Sequence, residues 1–549
     1  MSLIGTSINR RGFLESAACA VGAGLVAGPL ASGVAAQPPS AARKRKNITS
    51  LDAHDLAAWR AGVKEMKRRS QEDPDDPTGW MFQANMHGSI VPGELFNGCQ
   101  HGHWWFLPWH RMYLYYFERI LIHAIQASGF PIPSDFGLPY WDYTGDAMGL
   151  TAKRTIPQSL RDRQYVPPGE TAAESNPLFE VERIAARNSE MNPSPLPASA
   201  VSMTDAFAFT NFVNSASGFP SGFGGRNRTS PSFFDPNRAG QFEITPHGAV
   251  HNSVGGKMSR FDTAAQDPIF WTHHCNLDRL WNRWLAEDNR TNPDHNGPWG
   301  TQTFTFFNEN GDDTTDPVHR FLEYVQGNVI DYVYDDGSES FAPPLLAVAE
   351  APHAGSLQLH AHNGPSEGAS MPTGKEVFSF PPPSFALTAE PLSVSVPIPE
   401  PQRGGIEAAA AVIESVPEST APPKELLLVL EGIQLPGTLD GYYEVYLNPP
   451  TGAQPDFSGP HYVGNLVPFS LRGHGGHGDP ETVDASVSLT LRLTDAVRRL
   501  RRINAWNSES LQVTFVPVSV EDVADSRLIR ASFRAFRVIE VDPNEQAQE

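Results

Sequence analysis

The sequence predicts a mainly α domain over residues 47–336 followed by an all-β sandwich over 424–549. Helix-period apolar runs are confined to the first part, and short strand-like runs between turn residues to the second. A stretch rich in Pro, Ala, Gly and Ser, 337–423, separates them and reads as a linker. A chain of 549 residues, 40% of them hydrophobic, is long enough for two folded domains and rich enough to bury a large core.

In chain order, the first segment reads as an address. Asn9-Arg10-Arg11-Gly12-Phe13-Leu14 precedes a weakly apolar Ala- and Gly-rich run from Ser16 to Ala36, interrupted by Pro29. The pattern resembles a twin-arginine export signal, with Val34-Ala35-Ala36 as its cleavage site. The competing reading is a membrane anchor, but so much Ala and Gly makes a poorer spanning helix than Leu would. Residues 1–36 are therefore expected to be removed, leaving a periplasmic or secreted protein without a stable membrane span.

Helices are expected over Leu56 to Arg69, His110 to Gln126 and Pro268 to Glu287. The second, HRMYLYYFERILIHAIQ, is apolar on most faces and should be deeply packed. In the third, Ile269, Phe270, Leu277, Leu280, Trp281 and Trp284 recur at helical spacing. Thr151 to Ser232 is rich in Pro, Ser, Asn and Gly and reads as irregular; long loops of this kind often shape a site. Beyond the linker, whose Pro381-Pro382-Pro383 and Pro422-Pro423 mark it, strand-like runs lie at Glu425 to Leu430, Tyr442 to Leu447, Val487 to Leu493, Leu511 to Val518 and Ile529 to Val541.

Composition excludes some functions. A formal net charge of -21 argues against nucleic acid, which gains affinity chiefly from Lys and Arg. Eleven Trp and thirty-one Phe suit a pocket for a flat aromatic ligand, although aromatics fill ordinary cores too. Of three cysteines, Cys19 lies in the address, so Cys99 and Cys275 do not make a disulfide scaffold.

The chemistry lies with the histidines. His247 and His251 are four apart, an offset that on a helix puts both imidazoles on one face, about 5–6 Å apart at Cβ. Asp267-Pro268-Ile269-Phe270-Trp271-Thr272-His273-His274 then offers a third imidazole at the start of another helix. Three neutral nitrogens with open positions suit a redox-active copper. Upstream, His101 and His110 cannot share a helical face, but a loop entering the 110–126 helix can bring them together, and His87 completes a second trio.

The H-x₈-H pair ending in FLPWHRMYLYYFERI, the PHGAVH pair and DPIFWTHHCNLDRLW resemble the paired copper signatures of the tyrosinase, catechol oxidase and hemocyanin superfamily. The resemblance implies an antiparallel helix bundle holding two coppers: CuA on His87, His101 and His110, and CuB on His247, His251 and His274. His274 is chosen because the family usually ligates through the second histidine of HH, leaving His273 as a pocket wall or a support behind the ligands. His54, His123, His295, His319 and His353 read as surface or satisfied core side chains.

The same resemblance suggests a thioether between Cys99 and His101, with a free buried thiol or a disulfide to Cys275 as rivals. Glu243 falls where plant relatives place an acidic residue that positions a water near CuB, although orienting an imidazole is an equal claim. Phe261 falls where those relatives carry an aromatic gate over CuB, core packing being the alternative. Gly248 replaces the Asn that, in strong monophenol hydroxylases, shares the water with that Glu, while Asn252 follows the second histidine. The expected activity is oxidation of o-diphenols to o-quinones with O₂, stronger than any monophenol hydroxylation. A monophenol-hydroxylating tyrosinase, an o-aminophenol oxidase and a hemocyanin-like O₂ carrier remain as alternatives. Expected partners are O₂ and small phenols, with a copper chaperone as a further candidate. Tyr332-Val333-Tyr334 and residues 425–541 resemble the closing tyrosine motif and the C-terminal domain of plant polyphenol oxidases, a domain that covers the copper site and keeps those enzymes latent. His474-Gly475-Gly476-His477 reads as a polar turn or a metal-binding loop.

Overall fold

A computed structural model describes residues 43–541 apart from 92, 94, 145–150, 215–220, 236–237, 323–328, 337–374, 381–384, 410–424, 435–440, 453, 455, 470–486 and 519–530. The export segment, His353, the Pro pairs and triplet of the linker, and His474-Gly475-Gly476-His477 lie outside the described residues.

Each predicted helix forms, the first two running a few residues beyond their expected ends and the third stopping at Leu285 instead of Glu287. Helix α1 (Ala53–Glu72) begins at Asp52, whose carboxylate accepts the backbone N–H groups of His54 and Asp55 at 2.8 Å. A short helix, α2 (Trp80–His87), follows. Helix α3 (Phe106–Ala127) is buried along most of its length, as its apolar surround requires. Two short helical turns, Glu243–Gly248 and α4 (Ala249–Val254), carry the PHGAVH segment. Helix α5 (Pro268–Leu285) starts with Asp267 accepting the Ile269 N–H and Pro268 in the first turn, where a missing N–H costs nothing. Arg183 grips both oxygens of Asp267 at 2.6 and 2.9 Å and fixes this helix start.

Strand β1 (Arg43–Arg45) pairs in parallel with β2 (Tyr332–Tyr334), so the two ends of the helical part meet. Arg45 reaches Glu118 of α3 at 2.6 Å and Asp278 of α5 at 3.2 Å, and the hydroxyls of Tyr332 and Tyr334 both donate to Asp278, at 2.8 and 2.7 Å. Buried charges are tolerable when paired and hydrogen-bonded in this way.

The second part holds two four-stranded antiparallel sheets. One has the order β8 (Ser488–Arg492), β5 (Glu425–Glu431), β10 (Ala535–Val541), β3 (Lys375–Phe380). The other runs β7 (Tyr462–Leu466), β6 (Tyr442–Leu447), β9 (Ser510–Val518), β4 (Leu392–Pro397). Leu426, Leu428 and Leu430 face a core shared with Val445, Val513 and Phe515 of the other sheet, while Leu427 and Val429 join Ile539 and Val541 in a smaller cluster. Burial on both faces explains the continuous apolar run of β5.

Two expectations need correction. Within the expected linker, Lys375–Phe380 and Leu392–Pro397 form β3 and β4 and Glu400–Ala409 a helix, and these belong to the sheet-rich part. The signal was present in LSVSVP, where Val394 and Val396 are buried between exposed serines, but the prolines around it read as linker. That part is also not all-β: Thr494–Arg502 forms a helix, and the expected final strand is broken into Ala531–Phe533 and β10. Residues 42–549 form one compact unit, within which Tyr442, Val467 and Phe469 of the sheet-rich part join the apolar core of the helical part.

Candidate metal centre

His87 is the last residue of α2. Its close approach to the 261 segment depends on Gly88, where a Cβ would lie 2.2 Å from the Phe261 carbonyl oxygen. His101 lies in the loop before α3, and His110 one turn inside it. His247 and His251 come from adjacent helical turns, and His273 and His274 from α5. All are buried.

The two predicted trios meet side by side. In the first, ring centroids are 5.4 Å apart for His87 and His101, 4.9 Å for His101 and His110, and 5.5 Å for His87 and His110. In the second, His247, His251 and His274 lie at 4.7, 5.2 and 5.6 Å. His110 stacks on His274 at 4.5 Å, joining the trios.

The ring nitrogens divide their work. The Nδ1 atoms face oxygens: Phe261 O for His87 (3.2 Å), Glu243 Oε1 for His101 (3.0 Å), Phe106 O for His110 (2.8 Å), Glu243 O for His247 (3.0 Å) and Met258 O for His251 (2.7 Å). A histidine whose Nδ1–H is held this way presents a lone pair at Nε2. The Nε2 atoms converge, 3.3 Å apart for His87 and His101 and 3.4 Å for His251 and His274. Two nitrogens bonded at 2.0–2.1 Å to a tetrahedral first-row ion stand about 3.3 Å apart. The buried Nε2 atoms of His110 and His247 have no hydrogen-bond partner. His247, His251 and His274, with His273, bring ring nitrogens close enough to share an ion, as do His87 and His101, while His110 approaches that pair by its ring, 4.9 Å from His101.

Burial also fixes the charge state. It pushes His110 down to about 3 and His101, His247, His251 and His274 well below the usual range, with neighbouring imidazoles adding to the effect on those four. Neutral imidazole is the form that binds metal.

Glu243 is buried, and burial drives its pKa well above the carboxylate range. Its two oxygens accept the Gly102 N–H at 2.7 and 2.9 Å, and Oε1 meets His101 Nδ1. Gly102 (φ 74°) is required there: a Cβ would lie 2.0 Å from the Asp235 carbonyl oxygen. Glu243 therefore steers a first-trio histidine. Gly248 is buried in the helical turn after His247 and offers no side chain. Asn252 turns its Oδ1 to the backbone N–H of Phe469, 2.9 Å away.

Aromatic rings close the site. Phe106 lies 4.6 Å from His247 and Phe270 4.1 Å from His274. Phe261 stands edge-on to His101 at 4.6 Å and stacks at 4.3 Å on Phe469, which stacks at 4.0 Å on His251. Phe469 and Tyr143, which bonds His273 Nδ1 at 2.9 Å, escaped the sequence reading because neither has a local signal; only long-range packing brings them here. Cys99 and Cys275 are free, buried thiols, so no disulfide joins them, and Cys99 Sγ lies within 4.8 Å of nitrogens of His87 and His101. His103 is buried but spends its Nε2 on Ser232 O. Among the described residues, none of His54, His123, His295 or His319 belongs to a group able to hold a metal, and no helix is long and apolar enough to cross a membrane.

Residues 77–287 match the family model described as the common central domain of tyrosinase, a span that contains both trios. This match and the curated relatives support the type 3 copper tyrosinase and polyphenol oxidase family. The cofactor of a tyrosinase-family protein is a pair of copper ions, which these histidine clusters fit. A tyrosinase of Hahella sp. (strain CCB-MM4) is 29% identical over 508 residues, 87% of this chain and 96% of its own. Aureusidin synthase of Antirrhinum majus is 28% identical over 54% of this chain, which spans about half (53%) of that protein. Residues 380–530 match a domain of unknown function, which begins inside the expected linker. Latent apple tyrosinase shares the fold across 92% of this chain and 98% of its own, with a TM-score of 0.55 at 23% identity; latent aurone synthase does so with 0.56 at 19%.

Proposed function

We propose that this member of the family is an exported oxidase that converts o-diphenols to o-quinones, two catechols and one O₂ giving two quinones and two waters. The observation that carries the reading is the close approach of Nε2 atoms within two adjoining clusters of buried histidines, His87 to His101 and His251 to His274. His87, His101 and His110 would hold CuA, and His247, His251 and His274 CuB. When bound, the two coppers supply O₂ binding and the electron transfer from substrate to O₂. The protein's part is to keep the imidazoles neutral and oriented, with Glu243 and the carbonyls of Phe106, Met258 and Phe261 fixing their tautomers. The Phe261 and Phe270 rings exclude water and offer a flat ring a stacking partner.

With Gly248 in place of an amide and Asn252 held by Phe469, neither position after the CuB histidines offers, among the described residues, a free carboxamide oxygen to order a water that would deprotonate a phenol. Catechols, which give up their protons more readily, should be turned over faster than monophenols. Initial rates on dopamine and tyramine read this directly: dopamine should lead by an order of magnitude or more, and a faster tyramine rate sinks the preference. Quinone formation from 4-tert-butylcatechol separates an oxidase from an O₂ carrier.

In this reading residues 47–336 carry the chemistry, and residues 424–549, together with β3 and β4, form a cover whose Phe469 occupies the substrate position. The twin-arginine pattern would send the folded, copper-loaded protein out of the cytoplasm, and Cys99 would be joined to His101 by a thioether. Intact mass and peptide mapping of the exported, copper-loaded protein test both. The expected chain lacks residues 1–36, and its Cys99 and His101 are linked in one species two hydrogen atoms lighter. A chain retaining the signal, or an unmodified Cys99 peptide, removes the corresponding claim.

A further inference from the structure

The CuB half contains four buried imidazoles, and the reading above uses three of them. His247, His251, His273 and His274 each present a ring nitrogen within 4.8 Å of the others. His273 lies parallel to His247 at 5.7 Å and edge-on to His251 at 5.0 Å. Its Nδ1 is bonded to the Tyr143 hydroxyl, and its buried Nε2 makes no hydrogen bond of normal geometry, although the His247 backbone also bears on the ring.

Two criteria for a ligand separate the HH pair. Nitrogen spacing favours His274, whose Nε2 is 3.4 Å from that of His251. The support behind the ring favours His273: a ligating histidine almost always hands its other N–H to an oxygen. His87, His101, His110, His247 and His251 all have such an oxygen. His273 has one in Tyr143, whereas the buried Nδ1 of His274 has no partner. The Tyr143 hydroxyl can accept from Nδ1–H as readily as donate, and accepting frees the His273 Nε2 lone pair for a metal. A plain pocket wall would need neither the second nitrogen nor the tyrosine behind it.

We propose that His273, supported by Tyr143, is a stand-by ligand of the CuB half that holds the ion on His247 and His251 when His274 lets go. This rests on the dicopper reading. It gives the site two alternative trios of imidazoles sharing His247 and His251, so that the ion can be taken up or kept while His274 is displaced.

The test is copper content and release in the full-length protein, with folding checked by circular dichroism. Copper-loaded His274→Ala should retain close to two coppers per chain after dialysis, whereas His273→Ala/His274→Ala should retain about one. In the otherwise intact site, His273→Ala alone should release its second copper to a chelator roughly tenfold faster than wild type, the lower end of the roughly 10- to 100-fold by which losing an outer group weakens metal binding, and Tyr143→Phe should fall between wild type and His273→Ala. Equal copper in His274→Ala and the double variant, or unchanged release from His273→Ala, overturns the proposal. Wild-type protein that takes up no copper would instead defeat the dicopper reading itself.

Discussion

His247→Ala is expected to hold about one copper per chain instead of two and to lose catechol oxidation by on the order of 10³-fold or more. His247 is shared by every metal set available to the second trio, and its buried Nε2 has nothing else to bind. Losing a metal removes several kcal/mol of charge stabilisation, and each 1.4 kcal/mol is a factor of ten in rate. His54→Ala, at an exposed ring bonded to Pro131 O, is the control and should change neither quantity. Elemental analysis and steady-state rates check both. Two coppers and a near-normal rate in His247→Ala would remove this histidine from the centre and the account of the site with it.

Phe469→Ala should raise the rate of the untreated protein by roughly 10- to 100-fold. The Phe469 ring fills the space between His251 and Phe261, where a flat substrate ring would lie, and its backbone is pinned by Asn252. The cover is held further by Tyr442 on Ser199, and by Asn465 reaching Ser199 O at 3.4 Å and Thr245 Oγ1 at 3.3 Å. Truncating a buried phenylalanine costs about 3–5 kcal/mol. If about 1.4–2.7 kcal/mol of that falls on the closed arrangement, the accessible population rises by the stated factor. Cleavage within 337–374 should act in the same direction by loosening the whole sheet-rich part. Flat rates in both the variant and the cleaved protein would show that Phe469 does not limit access.

The sequence carried the site further than the fold. The pairing of His247 with His251 and the helix start before His273 and His274 were legible as local signals, whereas His87, His101, His110 and the choice of His274 came with the resemblance of the surrounding motifs. The three main helices were legible for the same reason, to within a few residues at their ends. In the sheet-rich part, β3 and β4 were read as linker because proline composition outweighed a short alternation, and the helix Thr494–Arg502 was missed.

By itself the sequence determined which residues are candidates to bind copper, since ligand chemistry depends on side-chain type and on spacing along the chain. Tertiary structure alone decided which nitrogen of His87, His101, His110, His247 and His251 is held by an oxygen, that Glu243 meets His101, that Tyr143 stands behind His273 and that Phe469 stacks on His251. The last three of those contacts join residues from 130 to more than 200 positions apart. No local pattern encodes them, because they exist only once burial has brought distant segments into one core.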